Sequence, residues 1–191
     1  MIINIRGTSG SGKSTVVKSL LNCREELVHP HFVEGRKRPL GYWVEHPARR
    51  IAVIGHYETA CGGCDTIPNM DRIFELITQC HKMGAHVLFE GLLVSAEGRR
   101  TIELGERVGW DQFVVLRLTT DLEECVESIN QRRRAKNPEA PDVNPKNTEQ
   151  KYKGTLSTCR RIEAAGGTVR EFDRVGAYKY VMEQLWPEIE R

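Results

Sequence analysis

The sequence predicts an α/β fold, a parallel sheet of five strands with helices packed on both faces. Two observations predict it. Five short apolar runs, at 2–6, 51–54, 85–89, 113–118 and 168–172, are separated by stretches with helical periodicity. Continuous apolar strands divided by helices are the pattern of parallel strands covered on both sides. A glycine-rich turn, Gly7 to Gly12, also sits directly between the first strand and the first helix. Composition agrees with a folded chain. Of 191 residues, 39% are hydrophobic and 28% charged, which argues against disorder and suits a single domain over 1–191. No apolar run approaches the roughly 20 residues of a membrane span, and the N-terminus lacks the charged leader of a signal peptide. A cytoplasmic protein is expected. Net charge is only +2, so any affinity for nucleic acid must come from local patches.

The elements follow in order. Ile2–Arg6 is a buried strand and Lys13–Leu21 a helix. Residues 22–50 are irregular, with Pro30, Pro39 and Pro47, except that Leu40–Glu45 can pair with Ile51–Gly55 as a hairpin. Met70, Ile73, Phe74 and Ile77 mark a helix that stops at Gly84. A helix over Ala96–Val108 follows the third strand. Leu122, Cys125, Val126 and Ile129 form the next helical face, with Asp121 and Glu124 spaced as a capping box. A weakly patterned helix spans about 147–165, and Tyr178, Val181, Met182 and Leu185 give the last, ending near Pro187. Of six cysteines, only Cys61 and Cys64 form a CxxC pair. Zinc sites need two such pairs or well-spaced histidines, and His56 and His81 are irregularly placed, so reduced thiols are expected.

Gly7-Thr8-Ser9-Gly10-Ser11-Gly12-Lys13-Ser14 fits GxxxxGK[ST] at every position, in the strand–turn–helix context that supports it. Glycines let successive backbone N–H groups turn toward a phosphate, and the helix N-terminus adds partial positive charge. Lys13 is expected exposed at the loop, reaching the β/γ-phosphates, with Ser14 on Mg²⁺ and Thr15 near the α-phosphate. Glu90 ends an apolar strand as a second metal-side carboxylate. The motif is that of the P-loop NTPases, which implies a three-layer sandwich with strand order 2-3-1-4-5. No Asn-Lys-x-Asp or LSGGQ motif occurs, and Asp173-Arg174-Val175-Gly176 lies too late for a γ-phosphate sensor. Small kinases remain.

Arg132, Arg133 and Arg134 end the helix begun at Asp121, and a Pro-rich segment follows. This resembles the lid of nucleoside and nucleoside-monophosphate kinases, placing a lid at about 132–147 and a lid role on at least one arginine. Asp65, between the second strand and the next helix with Gly62 and Gly63 beside it, resembles the acceptor-activating aspartate of uridine-kinase-like enzymes. Glu58 is the alternative base. Leu88-Phe89-Glu90-Gly91-Leu92-Leu93 is near that group's FEGIL pattern.

Residues 35–45 and 56–67 depart from nucleoside kinases. Together they resemble the small kinases of phages that hypermodify thymine, which phosphorylate 5-hydroxymethyluracil within DNA using ATP and Mg²⁺. The resemblance implies a DNA partner, and, if the gene is a phage's, the host cytoplasm. Residues 132–161 hold nine Lys/Arg against three Asp/Glu, and Arg36, Lys37, Arg38, Arg49 and Arg50 form a second cluster. Two basic arms can follow a phosphate backbone. The insertion at about 23–50 is expected on the acceptor side, with Arg36, Arg38, Tyr42, Trp43, Tyr57 and Glu58 binding the acceptor and the aromatics stacking on an extruded base. A kinase of free nucleosides or other small alcohols, and a nucleotide-dependent switch that transfers nothing, are the alternatives.

Overall fold

The computed structural model describes residues 1–23 and 25–187, so position 24 of the 23–50 insertion lies outside the described residues. Strands β1 (Ile2–Arg6), β2 (Val28–His31), β3 (Gly41–Val44), β4 (Ile51–Ile54), β5 (His86–Glu90), β6 (Phe113–Leu118) and β7 (Thr168–Phe172) form one sheet in the order β2-β3-β4-β5-β1-β6-β7. The five strands expected from the apolar runs are β4-β5-β1-β6-β7, all parallel, which is the expected order.

The sheet has seven strands because β2 and β3 extend its β4 edge in antiparallel pairing. β3 is the hairpin partner read from the sequence. β2 is a correction: Pro30 within it argues against a strand, but an outermost strand has one side free of ladder bonds and tolerates proline there.

The helices are α1 (Lys13–Cys23), α2 (Met70–Lys82), α3 (Leu92–Ala96), α4 (Arg99–Val108), α5 (Leu122–Arg134), α6 (Pro145–Ala164) and α7 (Arg174–Leu185). Val16, Val17, Leu20 and Leu21 of α1 pack with Ala177, Val181 and Leu185 of α7 on one face of the sheet. Ile73, Phe74 and Ile77 of α2, Leu104 of α4 and Ile162 of α6 cover the other. Each of these Val, Leu, Ile and Phe side chains contributes roughly 1.5–3 kcal/mol by leaving water. No helix among the described residues is long and apolar enough to cross a membrane.

Two local expectations fail for physical reasons. The helix expected over 96–108 begins only at Arg99, as α4, and a short helix not read from the sequence, α3, precedes it across Glu97 and Gly98. Arg6, fully buried, donates to the carbonyl oxygens of Ser95 (3.2 Å) and Glu97 (2.9 Å), and to Thr101 Oγ1 and Asn4 Oδ1 (both 2.5 Å). Carbonyls taken by the guanidinium do not propagate a helix. Burial among neutral partners lowers the Arg6 pKa to about 10. The capping box at α5 also does not form: Asp121 makes no side-chain cap, and Glu124 pairs with Arg174.

Candidate phosphate-binding cleft

β1 lies between β5 and β6, so its carboxyl end and the following loop fall at mid-sheet, where ligands of parallel sheets gather. The Gly7–Gly12 loop is held from several sides. Ser11 Oγ donates to the Thr8 carbonyl (2.8 Å), Thr120 Oγ1 to the Ser11 carbonyl (2.8 Å), and Ser95 Oγ accepts from Gly7 N (3.3 Å). Gly10 has φ 82°, and a Cβ there would lie 2.2 Å from the Cys125 carbonyl oxygen. Only glycine fits where the loop crosses the start of α5.

A cleft of about 440 Å³ opens at this point. It brings together Ser9, Gly10, Gly12, Lys13, Ser14 and Thr15 of the loop and α1 with Asp65, Glu90 and Arg132. Ser14 Oγ donates to Glu90 Oε1 at 2.9 Å. Glu90 is 2% exposed; burial raises its pKa, against the opposing pull of Lys13 and Ser14. Asp65 follows a short 3₁₀ turn's first residue, Cys64. Its Oδ2 accepts from Leu92 N (2.6 Å) and its Oδ1 from Leu93 N (3.0 Å), so it is pinned at the start of α3.

Lys13 corrects an expectation. It is 6% exposed rather than free at the loop, and its Nζ donates to the carbonyls of Gly7 (2.8 Å) and Thr8 (2.9 Å). The four-carbon stem folds over its own loop, which buries it. Burial lowers its pKa, with Glu90 and Asp65 acting in the opposite direction.

The three arginines separate. Arg132 lines the cleft. Arg134 is turned away, bound to Asp142 at 2.5 Å, and with Asn130 accepting from Val143 N (2.8 Å) it folds the following segment back onto α5. Arg133 does not line the cleft. The expected acceptor residues separate as well. Tyr42 and Trp43 are successive residues of β3, so their side chains leave opposite faces of the sheet and do not form one stacking platform. Trp43 packs on the α2 side under Arg50, 4.2 Å from ring centroid to guanidinium carbon. Tyr42 Oη accepts from Tyr57 N (3.1 Å), and the rings lie 6.3 Å apart. Tyr57 is buried, not on a rim; its hydroxyl faces Glu90 without reaching hydrogen-bond geometry. Arg36 is half-buried against the Thr66 carbonyl (3.3 Å), while Arg38 and Glu58 are exposed and outside the cleft lining. Cys64 is buried and Cys61 exposed, so the CxxC thiols face different surroundings.

Sequence reasoning missed Lys18, Ser128 and Arg174, which also line the cleft. Two had a signal. Lys18 lies four residues after Ser14 and Ser128 four before Arg132, one helical turn in each case. Arg174 sits just past the carboxyl end of β7, and its stem covers Gly12.

No family model matches the chain. A 5-hmdU DNA kinase of Pseudomonas phage PaMx11 is 52% identical to it over 185 residues, 96% of each chain. A 5-hmdU DNA kinase of Delftia phage PhiW-14 is 39% identical over 66 residues, 35% of this chain and 22% of that protein. Among solved structures, deoxyadenosine kinase from M. mycoides with bound dATP aligns over 97% of this chain and 99% of its own, with TM-score 0.49 and 13% identity. A gluconokinase from Sinorhizobium meliloti 1021 aligns over 96% and 94%, with TM-score 0.43 and 15% identity.

Proposed function

The chain belongs to the 5-hmdU DNA kinases, and from that premise we propose that it transfers the γ-phosphoryl group of ATP to the 5-hydroxymethyl oxygen of 5-hydroxymethyluracil in phage DNA. It is a P-loop kinase, and the observation that carries the reading is the convergence of Lys13, Ser14, Asp65, Glu90 and Arg132 on one cleft at the end of β1. Phosphoryl transfer asks mainly for positioning and charge stabilisation. The loop N–H groups and Lys13 cradle the β- and γ-phosphates, whose oxygens replace the two carbonyls that Lys13 Nζ holds. The acceptor oxygen bonds to the γ-phosphorus as the bond to the β–γ bridging oxygen breaks. The hydroxyl proton passes to Asp65. Each Asp65 oxygen accepts one N–H and keeps a second lone pair for the acceptor, so the carboxylate is fixed in place for that task. Arg132 meets the charge on the moving phosphoryl group.

Ser14 Oγ and Glu90 are hard oxygen donors already 2.9 Å apart, a set that suits Mg²⁺. Mg²⁺ held there would neutralise charge on the β- and γ-phosphate oxygens. Glu90→Gln should therefore raise the Mg²⁺ concentration needed for half-maximal rate by roughly 10–100-fold. A Mg²⁺ titration at saturating ATP checks this.

Arg132→Ala should lower kcat by roughly 10²-fold or more, as loss of one aimed cation does. Arg133→Ala and Arg134→Ala should stay within a few-fold of the parent, since Arg134 is spent on Asp142. Steady-state kcat of the three single variants decides among them.

The function itself is tested by label transfer from γ-labelled ATP to DNA carrying 5-hydroxymethyluracil, to unmodified DNA and to the free nucleoside. Label on the modified DNA, weakened steeply by salt, is the expected result. Equal label on the free nucleoside with the same salt response would indicate a small-molecule kinase. ATP consumption that no acceptor stimulates would indicate a switch.

A further inference from the structure

Ser14 and Lys18 stand one turn apart on the same side of α1, and both line the cleft. Ser14 turns to Glu90. Lys18 turns to the loop after β4, its Nζ 3.4 Å from the Thr59 carbonyl and beside Ala60, Cys61 and Gly62 in the cleft wall. Lys18 is half-buried, and no described carboxylate lies within ion-pair distance of it. The cleft's two acids are engaged elsewhere, Glu90 with Ser14 and Asp65 with the N–H groups of Leu92 and Leu93. A partly desolvated ammonium without a counter-charge favours an anionic ligand.

The position indicates which anion. The triphosphate is provided for by the loop, Lys13 and Arg132. Lys18 lies four residues, about 6 Å along the axis, past Ser14 and away from the loop. In an anti pyrimidine nucleotide the C5 substituent leaves the base on the edge that faces that nucleotide's own 5′-phosphate. A 5-hydroxymethyl oxygen brought to the γ-phosphorus therefore carries its 5′-phosphate alongside. Resting on the DNA-acceptor reading above, we propose that Lys18 is the binding site for the 5′-phosphodiester of the nucleotide being phosphorylated. The contact makes the enzyme favour a nucleotide within a strand over a free nucleoside, since only the former presents that charge.

The test is a double-mutant cycle between protein and DNA. Lys18→Gln removes the cation, and a single methylphosphonate 5′ to the modified nucleotide removes the anion. Each change alone should raise the KM for a 5-hydroxymethyluracil oligonucleotide roughly tenfold with kcat little changed. The two together should cost no more than either alone, and Lys18→Arg should restore the lost affinity for the unmodified linkage. Multiplicative effects, or coupling to a 3′ rather than the 5′ methylphosphonate, would overturn the assignment. Wild-type transfer is scored on the same oligonucleotide. Its absence would overturn the DNA reading together with the assignment, whereas transfer with multiplicative effects removes only the role of Lys18.

Discussion

Lys13→Ala should abolish phosphoryl transfer, by roughly 10²–10³-fold at the least, in a protein that still folds. The ammonium is hydrogen-bonded into the loop itself, to the Gly7 and Thr8 carbonyls, in a setting where burial strengthens its field. Alanine removes that charge where negative charge develops on the phosphates. The structural loss is small. Val16, Val17, Leu20 and Leu21 keep α1 in the core, and the Thr8 carbonyl still accepts from Ser11 N (3.3 Å) and Ser11 Oγ (2.8 Å) once the lysine is gone. Single-turnover rates beside a thermal melt check both halves. A variant that melts like the parent and retains most of its activity would remove the phosphate-loop assignment.

Asp65→Asn should cost roughly 10²–10⁴-fold in kcat with little change in ATP affinity, since the amide cannot take the acceptor's proton. The structure adds a second expected effect. The amide offers one acceptor oxygen to two N–H groups, so either Leu92 N or Leu93 N loses its partner. Loss of one such cap costs on the order of 1 kcal/mol. A modest drop in melting temperature should therefore accompany the large drop in turnover. A drop in melting temperature with turnover intact would make Asp65 only the cap of α3. Near-normal Asp65→Asn with inactive Glu58→Gln would move the proton acceptor to Glu58, although Glu58 is exposed and outside the cleft lining.

The parallel sheet was legible because each of its strands is a short apolar run and the phosphate loop anchors the first of them at the centre. What escaped was whatever depends on distant partners. The break between α3 and α4 is made by Arg6, at least 89 residues away in the chain. Strand β2 is hidden by Pro30, tolerated only because of where β2 sits in the sheet. The burial of Lys13 depends on how the loop curls, which the motif leaves open. The opposed directions of Tyr42 and Trp43, by contrast, follow from the two-residue period of a strand already read as one half of a hairpin. Arg132 could not be separated from its neighbours by sequence, because the choice rests on an ion pair between Arg134 and Asp142.

The placement of Trp43 on the α2 side decides what light can report about this molecule. Trp110 stacks on Phe113 at 5.5 Å and Trp186 meets His46 at 4.6 Å, so all three indoles are set against protein, and none lines the cleft. Intrinsic emission excited at the indole band is accordingly an optical gauge of unfolding, with no indole in the cleft to report its occupancy. A fluorophore that senses occupancy has to be put there, and the exposed thiol of Cys61 in the cleft wall is where a dye would see it.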